Sequence, residues 1–294
     1  MSGIFLTGAS GFVGQNLVSA INPKISIKKY SKGDKFTITE NIVIHIAGKA
    51  HDLKITANSD EYYQINTELT KVVFDAFLSS EAKVFITLSS VKAVADEVRG
   101  ELKENQSPNP VTHYGKSKLL AEQYIFSKEI PQGKRVYVLR PCMIHGPGNK
   151  GNLNLLFNLV SKGIPWPLGA FDNKRSFCSI GNLLFIMNEL IDREDIPSGI
   201  YNIADDEPLS TNQVISLICK SLNKKPIIFS INKNLIKLFA KIGDIINLPL
   251  NSERLTKLTE SYHVSNLKIR NAIGKDLPVD SKIGLIKTFQ SFNM

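Results

Sequence analysis

With 294 residues, 43% of them apolar, the chain can bury one large core or two smaller ones and reads as a globular protein. No apolar run reaches the ~18 residues of a membrane span. Cys142, Cys178 and Cys219 are too few and too scattered for a disulfide framework or a metal cluster. No metal is therefore expected, and the absence of a basic leader before Ile4 leads to the expectation of a cytoplasmic protein. The net charge is +9, from 36 basic and 27 acidic residues. Without zinc-finger spacing or aromatic-basic interleaving it does not indicate nucleic acid, and it suits either a lysine-rich solvated surface or an anionic small substrate.

In chain order, Ile4–Thr7 is a short apolar run that predicts a buried strand. Gly8, Gly11 and Gly14 follow at G-x-x-G-x-x-G spacing, and helical periodicity continues through Leu17, Val18 and Ile21 to Asn22-Pro23. Gly8 allows a tight turn, Gly11 lets a pyrophosphate approach the backbone, and Gly14 lets the helix pack close to the sheet. Ser10, Phe12 and Val13, between these glycines, are expected to line the same dinucleotide site. Ile25–Tyr30 predicts a second strand, and no acid lies at its end to bind a ribose 2′-hydroxyl. Lys28, Lys29 and Lys32 lean toward NADP over NAD, unless they are only a solvated strand end. Ile42–Gly48 is a strong β-type run whose small end residues, Ala47 and Gly48, would let a nucleotide pass close. His45 within it is read as a packed core residue, and His51-Asp52 as a loop beyond. A helix around Tyr62–Leu78 carries Asn66 and Thr67 early.

The strand Lys83–Leu88 ends at Ser89-Ser90, and Tyr114-Gly-Lys-Ser-Lys118 opens another helix. Tyr114 and Lys118 are four apart and share a helix face. A phenol titrates near pH ~10, and an adjacent ammonium is expected to lower that value. Such a phenol, held by a serine hydroxyl, can exchange a proton with a carbinol or carbonyl near neutral pH. Arg135–Leu139 is a further strand. The Pro- and Gly-rich stretch Arg140–Gly148 breaks regular structure, and the domain change is placed there. Residues 1–150 are expected to form a dinucleotide-binding domain and 151–294 mainly a substrate domain, with 178–203 returning to the first. At that strand end Pro141, Cys142, Met143 and Ile144 are expected to line the cleft, Cys142 as a small packing residue rather than a nucleophile. Arg175 is a phosphate clamp or a surface arginine. Ser210 and Gln213 form a capping-box pattern. Lys233, Lys237 and Lys241 recur every fourth residue on a helix with Leu235, Ile236, Leu238, Phe239 and Ile242. That helix is expected to pack on the core with solvated lysines, the alternative being a membrane surface.

Taken together, Gly8-x-x-Gly11-x-x-Gly14, His45-Ile-Ala-Gly48, Leu88-Ser-Ser90, Tyr114-Gly-Lys-Ser-Lys118 and Leu139-Arg-Pro-x-x-Ile-His-Gly-Pro-Gly148 resemble the extended short-chain dehydrogenase/reductase family. Within it the chain is similar to nucleotide-sugar epimerases and ketoreductases, including the UDP-glucose 4-epimerase-like branch. The resemblance covers nearly the whole chain and is specific for the family, less so for the substrate. It implies an α/β fold: a Rossmann-type doubly wound parallel sheet with a smaller C-terminal α/β substrate domain. It also implies catalytic roles for Ser90, Tyr114 and Lys118, and cofactor contacts from Asn66, Ser89, Tyr114, Lys118, Pro141 and Ile144 beside the glycine loop and Ala47-Gly48. Ser90 and Arg175 become substrate-binding residues, Arg175 on the sugar-nucleotide diphosphate. The implied cofactor is NAD or NADP, and the implied assembly a homodimer paired through the Tyr114 helix. The implied chemistry is hydride exchange at C4 of a UDP-hexose or UDP-N-acetylhexosamine in polysaccharide synthesis, as a 4-epimerase or a 4-ketoreductase. A non-catalytic NAD(P)-sensing protein on the same fold is the alternative. Val91-Lys92 stands where the family's dehydratases carry Asp-Glu, which argues against dehydration. Val94-Ala95 replaces the family's usual Tyr-Gly, and the second phosphate arginine near the C-terminus is not obvious, Arg254 being a weak candidate.

Overall fold

The computed structural model describes residues 3–21, 27–30, 36–49, 59–149, 151–246 and 251–293. Asn22-Pro23, Lys32 and His51-Asp52, singled out above, lie outside them. The strands are β1 Ile4–Thr7, β2 Ile27–Tyr30, β3 Ile42–His45, β4 Val84–Leu88, β5 Glu101–Leu102, β6 Arg135–Pro141, β7 Met143–His145, β8 Phe177–Ser179, β9 Gly199–Ile203 and β10 His263–Val264. The helices are α1 Phe12–Ala20, α2 Ser59–Tyr62, α3 Leu69–Leu78, α4 His113–Phe126, α5 Asn152–Ser161, α6 Ile180–Asp192, α7 Thr211–Ser221, α8 Lys233–Ile246, α9 Ser252–Thr259, α10 Leu267–Ile273 and α11 Ser281–Gln290.

Six strands form one sheet in the order β2-β1-β3-β4-β6-β9, and every neighbouring pair is parallel. Parallel strands need crossovers, which place helices on both faces and force near-continuous apolar runs. The period of two then sorts the side chains. Ile4, Leu6, Ile42, Ile44 and Ile86 pack with Leu17 of α1, Leu183 and Ile186 of α6 and Ile269 of α10. Phe5, Val43, Phe85 and Val138 point the other way, onto Val73, Phe74 and Phe77 of α3 and Ile125 of α4. This is the Rossmann-type doubly wound sheet. The chain reverses its winding between β1 and β3, so a crevice opens at their carboxyl ends.

A separate core joins α5, α7, α8, α9 and α11 around Phe157, Trp166, Ile218, Leu285 and Phe289. The Ser210–Gln213 capping box forms at the start of α7, as its spacing predicts. Two small parallel pairs, β7 with β8 and β5 with β10, tie this part to the loops above the large sheet.

Several elements differ from their sequence expectation. The helix predicted over Tyr62–Leu78 is interrupted by a π-helical stretch, Tyr63–Glu68. The Pro- and Gly-rich stretch after Arg140 still contains β7, because its backbone finds a partner in β8. On α8 only Ile236, Ala240 and Gly243 are buried, while Leu235, Leu238, Phe239 and Ile242 face outward, contrary to the core-packed reading. The helix rests on its neighbours through two small residues and one isoleucine, too narrow a contact to cover the rest of its apolar surface.

Candidate active site

The glycine turn lies at the carboxyl end of β1. Gly8 has φ +80°, and a methyl there would meet Ala47 N at 2.5 Å. One on Gly14 would fall 2.2 Å from the Gly8 carbonyl oxygen. Gly11 differs, because a methyl on it would meet only that oxygen, at an ordinary 3.5 Å. Among the described residues nothing else lies within 4 Å of that position, chain neighbours aside. Gly11 also heads α1, and among the described residues no side chain caps its first turn. Open backbone donors on the positive end of a helix, beneath empty space, fit a pyrophosphate. Ser10 is exposed there, and Phe12 and Val13 are half-buried. Ile144, beyond the end of β6, packs on the same core as Phe12, and Pro141, the last residue of β6, is buried.

Across the crevice, Gly48 brings β3 against the helix side chains. A methyl on it would stand 3.0 Å from Lys118 Nζ and 3.1 Å from Asn66 Oδ1. Asn66 lies in the π-helical stretch, a widened turn of the kind that often accompanies functional sites. Its amide is fully occupied by protein. Oδ1 accepts from Lys49 N at 2.8 Å, and Nδ2 donates to Lys49 O and to Ser117 Oγ, both at 3.1 Å. Asn66 thus couples the β3 loop to α4.

Helix α4 starts cleanly because Thr112 Oγ1 accepts from Gly115 N at 3.2 Å. Gly115 is required there, since a methyl would strike the Lys92 carbonyl oxygen at 2.4 Å. This close approach sets the Tyr114 turn against the Ser90 loop and brings the Ser90 side chain to the Tyr114 phenol. Ser90 Oγ also accepts from Lys92 N at 3.2 Å, which fixes its rotamer. Tyr62 packs edge-on to Tyr114, with ring centroids 6.1 Å apart. One turn on, Lys118 Nζ donates to the Leu88 carbonyl oxygen at 2.9 Å.

The electrostatics correct one expectation. Burial pushes the Tyr114 phenol up, the Ser90 hydrogen bond works against that, and Tyr62 adds to the rise. The predicted lowering by Lys118 does not figure among the influences on the phenol, and burial holds Lys118 itself down at about 8. His45 is a core residue as expected. It bridges Thr7 Oγ1 at 2.7 Å and Thr70 Oγ1 at 2.9 Å, and burial holds it near 3. The Cys142 thiol is pushed far up by burial, which removes it as a nucleophile.

Ser89 does not join Ser90 at the phenol. Its hydroxyl donates to Glu122, a buried carboxylate on α4 that Arg140 of β6 also grips, with Nε on Oε1 at 2.9 Å. Glu122 was missed in the sequence. It stands four residues after Lys118, so the i, i+4 spacing that pairs Tyr114 with Lys118 also reaches it. A cavity of about 10 Å³, room for one water, is lined by Thr87, Ser89, Lys118 and Glu122.

Arg175 lies farther out, on a short bridge to Leu209 and Tyr262. Its Nη1 donates to the Lys257 carbonyl oxygen of α9 at 2.6 Å, and Glu260 lies 4.0 Å away. Lys92, two residues after Ser90, is a second cation of this region. It sits over the Tyr262 ring at 4.4 Å and donates to the Asp96 carbonyl oxygen at 2.6 Å. Its position directly behind the catalytic-type serine was the available signal.

Residues 24–228 match the 3-beta hydroxysteroid dehydrogenase/isomerase family. The UDP-glucose 4-epimerase of Vibrio cholerae is 28% identical, over 98% of this chain and 95% of its own. The N-acetyl-alpha-D-glucosaminyl-diphospho-ditrans,octacis-undecaprenol 4-epimerase of Escherichia coli O157:H7 is 29% identical, over 76% of this chain and 73% of its own. The same fold is found in the UDP-glucuronic acid 4-epimerase of Bacillus cereus, solved in complex with NAD. Its TM-score is 0.76 at 17% identity, over 99% and 98% of the two chains.

Proposed function

This chain belongs to the 3-beta hydroxysteroid dehydrogenase/isomerase family, among the extended short-chain dehydrogenases/reductases, and we propose that it inverts C4 of a hexose or N-acetylhexosamine carried on a diphosphate. The observation that carries this reading is the convergence of Tyr114 and, one helical turn on, Lys118 with the Ser90 loop, across the crevice from the glycine turn. The 4-epimerase relatives support epimerisation over net reduction.

The open first turn of α1 and Gly11 would hold the pyrophosphate of NAD or NADP, and Lys118 its nicotinamide ribose. The nicotinamide, when bound, supplies a reversible hydride acceptor for C4. Tyr114 takes the O4 proton as the carbinol becomes a ketone and returns it to the same oxygen after the sugar has rotated to present the other face of C4. Ser90 holds the same oxygen. Lys118, positively charged at neutral pH with a value near 8, stabilises the phenolate as it forms. Arg175 and Lys92 would meet the diphosphate end. Lys28 donates to the Thr37 carbonyl oxygen at 2.8 Å, so among the described residues a 2′-phosphate would rely on Lys29. The exposed apolar face of α8, which packs against the α9 segment holding Arg175, favours a second reading in which the diphosphate is attached to a lipid. A homodimer would pair through α3 and α4, where Val72, Leu120 and Phe126 are exposed.

The test is C4-epimer interconversion of UDP-glucose and UDP-N-acetylglucosamine, followed by NMR while reduced cofactor is followed by absorbance. Epimers formed without net NAD(P)H change, and lost in Tyr114→Phe, support the reading. Stoichiometric loss of NADPH with a 4-keto sugar would replace it by a ketoreductase.

A further inference from the structure

Helix α8 carries three kinds of surface. Ile236, Ala240 and Gly243 lie on the core side. Lys233, Lys237 and Lys241 form an exposed stripe at four-residue spacing. On the remaining face Leu235, Leu238, Phe239, Ile242, Ile245 and Ile246 are 40 to 81% exposed. Ile227 and Phe229, on the segment just before the helix, are exposed by half or more. Isolated exposed apolar residues are ordinary, but six on one helical face, bordered by lysines, are a binding surface.

We propose that α8 is a membrane-docking helix that lies in the headgroup region of an anionic bilayer. The charge favours this occupant. The lysines flank the apolar face on its own helix, and the whole chain carries +9, so an anionic surface attracts this side while the apolar residues enter the acyl boundary. Among the described residues no helix is long and apolar enough to cross a membrane, so the contact is peripheral. The attachment is also firm on the protein side. Asp244 accepts from Ser252 N at 2.9 Å, which ties the end of α8 to the start of α9. Arg175 donates to α9 one turn later, so docking would hold the outer end of the sugar site toward the bilayer. This proposal stands independently of the C4 chemistry.

The experiment is sedimentation of the full chain with vesicles of phosphatidylglycerol and phosphatidylethanolamine, and with neutral phosphatidylcholine vesicles. The wild type is expected to sediment with the anionic vesicles, less so as salt is raised. Leu238→Glu with Ile242→Glu should weaken binding at least about tenfold, and each Lys→Gln at 233, 237 or 241 about fivefold. The altered side chains are exposed, so the thermal midpoint should not fall, and Tyr114→Phe should bind vesicles like the wild type. No sedimentation, or sedimentation unchanged in the double variant, overturns the proposal. An oligomer that the double variant splits, without vesicle binding, overturns it in favour of a second copy on this face.

Discussion

Helices α4 and α8 are of equal length and break the ordinary rule of burial in opposite directions. Helix α4 turns Ser117, Lys118 and Glu122 inward, while α8 turns leucine, isoleucine and phenylalanine outward. Burying a charge is unfavourable unless it is paired, and α4 meets that demand with Arg140, Ser89 and the Leu88 carbonyl. Exposed apolar surface has no such local remedy and needs an occupant. The contrast separates two uses of a local inconsistency. Inside the protein it pre-organises chemistry, and on its surface it selects a partner.

The inward side of this comparison breaks most sharply at Tyr114. Tyr114→Phe keeps the ring and removes the proton, so kcat should fall by about 10³- to 10⁴-fold with the cofactor affinity little changed. Steady-state kinetics and a cofactor titration on one preparation measure both.

Arg140→Ala probes the buried pair. It leaves Glu122 charged and without its guanidinium, and should destabilise the fold by about 3–5 kcal/mol in urea melts. A loss under 1 kcal/mol would mean that Ser89 and solvent suffice to hold the carboxylate.

Lys118 gives a pH signature. Its value is about 8 in the fold against 10.5 ordinarily, because burial disfavours the charge. Below pH 8 folding carries a desolvated ammonium. Between 8 and 10.5 the unfolded chain holds a proton that the folded chain has released, so stability rises with pH across that window. Relative to Lys118→Met, the wild type should gain on the order of 2–4 kcal/mol over that interval. Parallel pH dependences in the two proteins would contradict the depressed value.

The smallest effects sharpen the cofactor side. Gly14→Ala drives a methyl into the Gly8 carbonyl and should lose about 1–3 kcal/mol of stability. Gly11→Ala meets no such obstacle, so its thermal midpoint should hold while the cofactor dissociation constant rises. Equal thermal losses in the two variants would remove the distinction between packing glycine and binding glycine.

Much of the sheet was legible because most of its strands are short apolar runs, and parallel burial leaves little else for such a run to be. The tetrad of glycine turn, Ser90, Tyr114 and Lys118 was legible for a similar reason: each member occupies a fixed offset within a local motif. What escaped depends on distant partners. Arg140 could not be matched to Glu122, 18 residues away, without the register of β6 beside α4. The raised Tyr114 value depends on burial and on Tyr62, and neither is written in the Tyr-x-x-x-Lys spacing. The outward face of α8 was misjudged because periodicity reports that a helix has an apolar side, not whether the fold is wide enough to cover it.

The most direct test of the central claim uses UDP-glucose or UDP-N-acetylglucosamine deuterated at C4, incubated with the enzyme and its oxidised cofactor and read by NMR. The account predicts the C4 epimer with deuterium retained at C4, no accumulated reduced cofactor, and a rate at least about 10³-fold lower in Tyr114→Phe. An epimer that has exchanged its C4 deuterium for solvent hydrogen, or one formed as fast without the Tyr114 hydroxyl, would contradict it.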